Sequence, residues 1–196
     1  MDILFNLIIV LCTIFSTIIC FRDKENHWSI SEGFRRLRFF TLLSNLLCAF
    51  ASLSVLLFLH NGWLPYGVWL FKYIGTVSVT VTFLTVMVFL GPTLGYKSQL
   101  EDWAFYLHVV GPLLAMISFC FFERSYPLSF PLSLCGILPV LLYGLLYLKK
   151  VVFSSGEAQW DDFYGFNKNG KWKSSFSAML VGTFFVCLLL WLLCRI

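Results

Sequence analysis

The sequence predicts an all-α integral membrane protein, a bundle of six transmembrane helices with short loops, and three observations carry that prediction. Of its 196 residues 59% are hydrophobic and 12% charged, with a mean hydropathy of +0.84, far outside the range of soluble domains. Six stretches, about 3–20, 39–59, 67–90, 103–122, 131–148 and 175–193, each approach the roughly 20 apolar residues that cross about 30 Å of hydrocarbon. The connections are short, so the chain reads as a single domain, 1–196, with no soluble part to hold a separate activity.

The third observation is where the cations lie, because Lys and Arg in short loops stay cytoplasmic. The first, third and fifth loops carry Arg22, Lys24, Arg35, Arg36, Arg38, Lys97, Lys149, Lys150, Lys168, Lys171 and Lys173. The opposite side has Arg124 and Arg195, with Lys72 near that end of the third span. Loops 1, 3 and 5 are therefore expected in the cytoplasm and both termini on the other face. The net charge of +4 then serves topology and contact with anionic lipid, and no nucleic-acid partner is expected. The seven cysteines fall in or at the ends of spans without a CxxC pair and read as small buried apolar residues. Only Met1 and Asp2 precede the first span, with no basic n-region and no cleavage pattern, so it is expected to be retained. No Asn-x-Ser/Thr acceptor occurs.

The first span, polar only at Asn6, Thr13, Ser16 and Thr17, reads as a peripheral helix. The charged loop after it lies on the surface, with Trp28 suited to the interface and His27 exposed. The second span opens RFFTLLSN, placing Thr41 about one turn inside the membrane and Asn45 on the same face a turn deeper. A membrane threonine usually bonds its own helix carbonyl, whereas an amide at this depth needs a partner, often another helix. His60, Trp63, Tyr66 and Trp69 form an interfacial aromatic belt around the next turn. Ser78, Thr82 and Thr85 make one stripe of the third span, for helix packing or for lining a polar cavity. The turn GPTLGYKSQLED lacks the GK[ST] ending of a phosphate-binding loop.

The fourth span, opened by Glu101, Asp102 and Trp103, holds a histidine, and an intramembrane ionisable residue is a functional-site hypothesis by default. Pro112 cannot donate to the carbonyl of His108, so a bend is expected there. The outer turn ERSYPLSFP and the fifth span read as scaffold. The last loop, with WDDFYGF, is the longest; it reads as an interfacial loop anchored by Trp160 and Trp172, or as a lid in which Asp161, Asp162 and Tyr164 matter.

The second and fourth spans enter from the same face, so Thr41 and His108 lie at similar depth. A histidine beside a threonine hydroxyl is a nucleophile and general-base pair that activates a weak alcohol. Helix N-termini at this side, with Arg35, Arg36 and Arg38 above, favour a lipid carboxylate or developing oxyanion, to which Asn45 is a further candidate donor. With no HExxH, no acidic cluster at one depth, dispersed histidines and no Gly-x-Ser-x-Gly elbow, neither a metal nor another cofactor is expected.

RFFTLLSN at the start of the second span, with a histidine early in the fourth, resembles the androgen-inducible family of six-span membrane threonine hydrolases and its bacterial relatives. The resemblance covers two short patches and the span count. It implies an intramembrane hydrolase of fatty acid esters of hydroxy fatty acids, with Thr41 and His108 catalytic and the substrate arriving from the bilayer. Arg38, Asn45, Asp161 and Tyr164 are the candidate substrate contacts, the expected partner is a membrane lipid or fatty-acyl ester, and the expected setting is a bacterial plasma membrane. Two other classes compete. A small transporter or channel would place His108 in its path, although the sequence lacks inverted repeats. A non-catalytic assembly protein would use Asn45 and His108 for packing.

Overall fold

The computed structural model describes residues 2–23 and 25–195. Met1 and Lys24, used above in reading the first span and the first loop, lie outside them. Six helices are long and apolar enough to cross a membrane: Asp2–Cys20, Phe40–His60, Tyr66–Leu94, Trp103–Phe122, Phe130–Val151 and Trp172–Leu193. No strand occurs among the described residues. Helices are the form available here, because a backbone crossing lipid must satisfy its own N–H and C=O groups. Hydropathy places the spans well but clips their ends. The third runs on through Gly91 and Pro92, the fifth carries Lys149 and Lys150 in its last turn, and the sixth begins at Trp172. Long cationic side chains can reach the interface from a helix that continues beneath them.

The third span is the hub, packing against the second, fourth, fifth and sixth. Of its apolar window 56% is buried, against 22% for the sixth span at the rim. Gly75 lets the second span come close, since a Cβ there would lie 2.9 Å from the Cys48 Cα. One core cluster of Trp69, Tyr73, Val77, Phe119, Val186 and Leu190 joins the third, fourth and sixth spans. The third-span hydroxyls are satisfied locally, Thr76, Ser78, Thr80 and Thr82 each donating to the carbonyl four residues back. They can therefore face other helices without needing partners there.

The first span shows two sides. Ile3, Leu7, Leu11, Ile14 and Phe15 are exposed on the outer surface, as a peripheral helix requires, while Asn6, Thr13 and Ser16 are buried against the second and fourth spans.

Proline reshapes two spans in the same way. Pro92 and Pro112 offer no N–H to the carbonyls four residues back, and each follows a glycine that closes a widened π-type turn, Thr85–Leu90 and Tyr106–Val110. Gly91 N–H donates to the Val86 carbonyl and Gly111 N–H to the Tyr106 carbonyl, five residues back. The bend expected at Pro112 thus takes the form of a π turn that contains His108.

Candidate functional site: a cavity beneath the last loop

Between the third, fifth and sixth spans, at the end carrying the arginine-rich loop, lies a cavity of about 760 Å³. Its walls are mostly apolar, with Val81, Val86, Val140, Met179 and Val186 among them. Val88, Phe89 and Phe185 also line it and are exposed on the outside of the bundle, so the cavity reaches the surface that faces lipid. Its polar groups gather at one end: Thr41, Thr82, Tyr143, Tyr147, Tyr164 and Lys171.

The last loop forms this polar end because Asp162 folds it. The Asp162 carboxylate accepts the Tyr147 hydroxyl at 3.0 Å and the N–H groups of Phe166 and Asn167, both at 2.8 Å. Tyr147 in turn accepts the Tyr164 N–H at 3.1 Å. Edge-on and tilted contacts of Tyr147 with Phe163, Tyr164 and Phe166 bind the loop to the fifth span. Residues 164–166 of the loop lie directly on the cavity.

Tyr164 is carried to the start of the second span. Its hydroxyl accepts the Phe40 N–H at 3.1 Å, which caps a helix whose N-cap residue, Phe39, provides no side-chain bond. The same hydroxyl lies beside those of Thr41 and Tyr143, and Tyr143 donates to the Arg38 carbonyl at 2.6 Å. Burial pushes the Tyr164 phenol up to about 12, so it stays neutral at physiological pH. The Thr41 hydroxyl thus adjoins a loop residue, and no hydrogen bond to a carbonyl of its own helix is found among the described residues.

The structure places the other candidate residues in different surroundings. His108 is buried, and its Nδ1 lies 2.6 Å from the Gln99 carbonyl. A carbonyl only accepts, so Nδ1 carries the proton and Nε2 keeps its lone pair. No hydrogen bond joins His108 to Thr41 among the described residues, and His108 is not part of the cavity wall. Asn45 connects their two turns. Its Nδ2 donates to the Thr41 carbonyl at 2.8 Å and to the Leu107 carbonyl at 3.0 Å, the latter freed because Gly111 N–H bonds Tyr106 instead. Both amide protons are engaged, so Asn45 positions backbone here and has none left for an oxyanion. A Cβ at Gly111 would lie 3.1 Å from Asn45 Oδ1, which explains the glycine.

Arg38 sits over Trp160 of the last loop, 5.7 Å from guanidinium carbon to ring centre, beside the loop that closes the cavity. Asp161 is exposed; its neighbour Asp162 does the organising. Sequence reasoning missed Tyr143 and Tyr147, whose i, i+4 spacing on the fifth span was the available signal, and it passed over the buried charges described below.

Compared with protein-family models, curated proteins and solved structures, the chain matches none.

Proposed function

We propose that the chain is an intramembrane lipid hydrolase, or an acyl transferase of the same chemistry, acting on fatty-acyl esters such as fatty acid esters of hydroxy fatty acids. The observation that carries this reading is the Thr41 hydroxyl in the wall of a 760 Å³ cavity that is otherwise largely apolar and reaches the lipid-facing surface. A cavity of that size suits one acyl chain. Its polar end suits the ester group, with Lys171 in the wall and Arg38 beside the loop for a substrate carboxylate.

In this reading Thr41 Oγ attacks the acyl carbonyl carbon while its proton passes to His108 Nε2. The tetrahedral adduct then collapses to an acyl-threonine, and the same proton goes to the departing alkoxide. Water, or a second alcohol in a transferase, releases the acyl group by the reverse steps. Support for the pairing comes from Asn45, which holds the Thr41 and His108 turns level, and from the tautomer that leaves Nε2 basic. The described conformation is then the resting one, with Thr41 beside Tyr164, and the reaction requires the hydroxyl to turn towards His108. The cation distribution supports a reading in which this end of the bundle faces the cytoplasm and both termini the other side, the proposed setting being a bacterial plasma membrane.

The test is labelling by a lipid-like fluorophosphonate in detergent or nanodiscs, comparing wild type with Thr41→Ala and His108→Ala and checking each for folding. Loss of labelling in both folded variants is expected. A folded wild type that does not label would remove the hydrolase reading.

A further inference from the structure

A second polar centre lies at the opposite end of the bundle, away from the Thr41 cavity. Lys72 on the third span is completely buried, and Glu123, just past the fourth, is 3% exposed. The Lys72 ammonium donates to Asn6 Oδ1 at 2.8 Å and to Ser52 Oγ at 2.7 Å, and it lies 4.0 Å from Glu123 Oε1. Glu123 Oε1 also accepts Asn6 Nδ2 at 2.5 Å and the Ser118 hydroxyl at 2.6 Å. Four spans thus contribute to one cluster, and the Asn6 amide bridges the two charges.

The distribution of bonds is lopsided. Glu123 Oε1 is met by Asn6, Ser118 and Lys72, whereas Glu123 Oε2 is buried with no hydrogen-bond partner among the described residues. A carboxylate kept permanently ionised in an apolar bundle would be expected to have both oxygens satisfied, because an unpaired buried acceptor is costly. Oε2, which makes none of the cluster's bonds, is where a proton can be added and removed without dismantling the cluster. Glu123 also borders a small cavity of about 170 Å³ at this end, lined by Trp69, Tyr126, Arg124, Cys194 and Arg195, which is roomy and polar enough for water.

We propose that Glu123 is a proton-binding site, filled at Oε2 from the water at the end of the bundle opposite the arginine-rich loop, with Lys72 as its fixed counter-charge. Uptake converts the carboxylate to a carboxylic acid, with hydronium giving up the proton and leaving as water. The cluster then moves from a neutral ion pair to a net positive charge. The titratable and charged groups around it are Lys72 from the third span, the Cys48 thiol from the second, Arg124 on its own turn, and Cys194 and Arg195 beyond the sixth span at the cavity. The first span contributes the neutral Asn6. This site does not depend on the hydrolase reading and gives the bundle a means of sensing or moving protons.

Hydrophobic carbodiimides react with the protonated form of carboxyl groups in apolar surroundings and leave an acylurea that mass spectrometry locates. Full-length protein in nanodiscs is treated with dicyclohexylcarbodiimide over a pH series. Glu123 is expected to be modified, with the adduct increasing as pH falls. Lys72→Met removes the nearby positive charge, which favours the carboxylate, and is expected to carry labelling to higher pH. If that variant does not fold, Ser52→Ala, which takes away one of the lysine's partners, is expected to shift labelling in a protein that still folds. No adduct at Glu123 at any pH, or an adduct level independent of pH, would overturn the proposal.

Discussion

The two polar centres solve the same problem in opposite ways. At the Thr41 end most polar groups of the cavity wall are neutral hydroxyls, with Lys171 the charged side chain among them, and they tolerate an open cavity beside them. At the Lys72 end the polar groups are charges, and four spans close around them. A hydroxyl can satisfy itself on the carbonyl four residues back, whereas an ammonium needs several acceptors drawn from different helices. Neutral polarity therefore leaves room for a ligand, and charge consumes the packing around it. The first centre is suited to a molecule and the second to a proton.

The largest expected effect comes from breaking the charged centre on one side. Glu123→Ala leaves the Lys72 ammonium buried without its counter-charge and is expected to cost about 3–5 kcal/mol. The drop should be plain in thermal unfolding in detergent. Combining Lys72→Met with Glu123→Leu, which replaces both charges by apolar groups, should recover most of that loss. A double variant as unstable as the single one would mean that the two charges do not act as a pair.

The cavity responds differently to the same kind of intervention. Gly182 lines it, and a Cβ there would meet nothing within 4 Å. Gly182→Phe therefore starts into open space and should reduce the cavity, and it removes a glycine, which in a helix costs roughly 0.5–1 kcal/mol relative to Ala. Turnover of long acyl esters should fall sharply while thermal stability holds or rises. The opposite pattern, activity kept and stability lost, would show that the ligand sits elsewhere.

Much of this architecture was legible in the sequence, because span length and hydropathy are set by the bilayer itself. The six helices follow from that constraint, and the distortion of the fourth span follows from the N–H that Pro112 lacks. The meeting of Thr41 with Tyr164 was not legible, since it depends on how the second span is rotated and on how Asp162 folds a loop over it. The Lys72 cluster was hidden for a related reason. Lys72 and Glu123 sit near span ends, where a charge normally faces water, and Asn6 lies in a span that looked peripheral. Only helix packing turns all of them toward one point.

Between the two centres, Asn45 measures how firmly the second span is tied to the fourth. Asn45→Leu removes the donor to the Leu107 carbonyl, which the π turn has already separated from Gly111. Interhelical bonds of this kind contribute about 1 kcal/mol in membranes. A loss of about 1–2 kcal/mol is expected, since the carbonyl is then left buried and unmet. Because the same amide also holds the Thr41 carbonyl, the loss of fluorophosphonate labelling should exceed what the lower stability explains. Labelling that simply tracks the folded fraction would separate the two turns.

The smallest expected effect sharpens the account of the open centre. Tyr164→Phe keeps the ring contacts with Tyr143 and Tyr147 but removes the hydroxyl that caps the second span and adjoins Thr41. One neutral hydrogen bond is lost, about 0.5–1.5 kcal/mol, and much of it should be recovered because the Phe40 N–H lies near the membrane surface, within reach of water. Stability should hardly change, while proteolysis within residues 155–170 should become faster as the loop loosens. Thr41 is the residue most affected, since its hydroxyl loses its neighbour on the loop. If Tyr164 restrains the nucleophile, the variant should label faster with fluorophosphonate than wild type. If Tyr164 instead supplies a bond that the reaction needs, labelling should slow although the fold is intact, and the loop would then belong to the catalytic apparatus and not only to the lid.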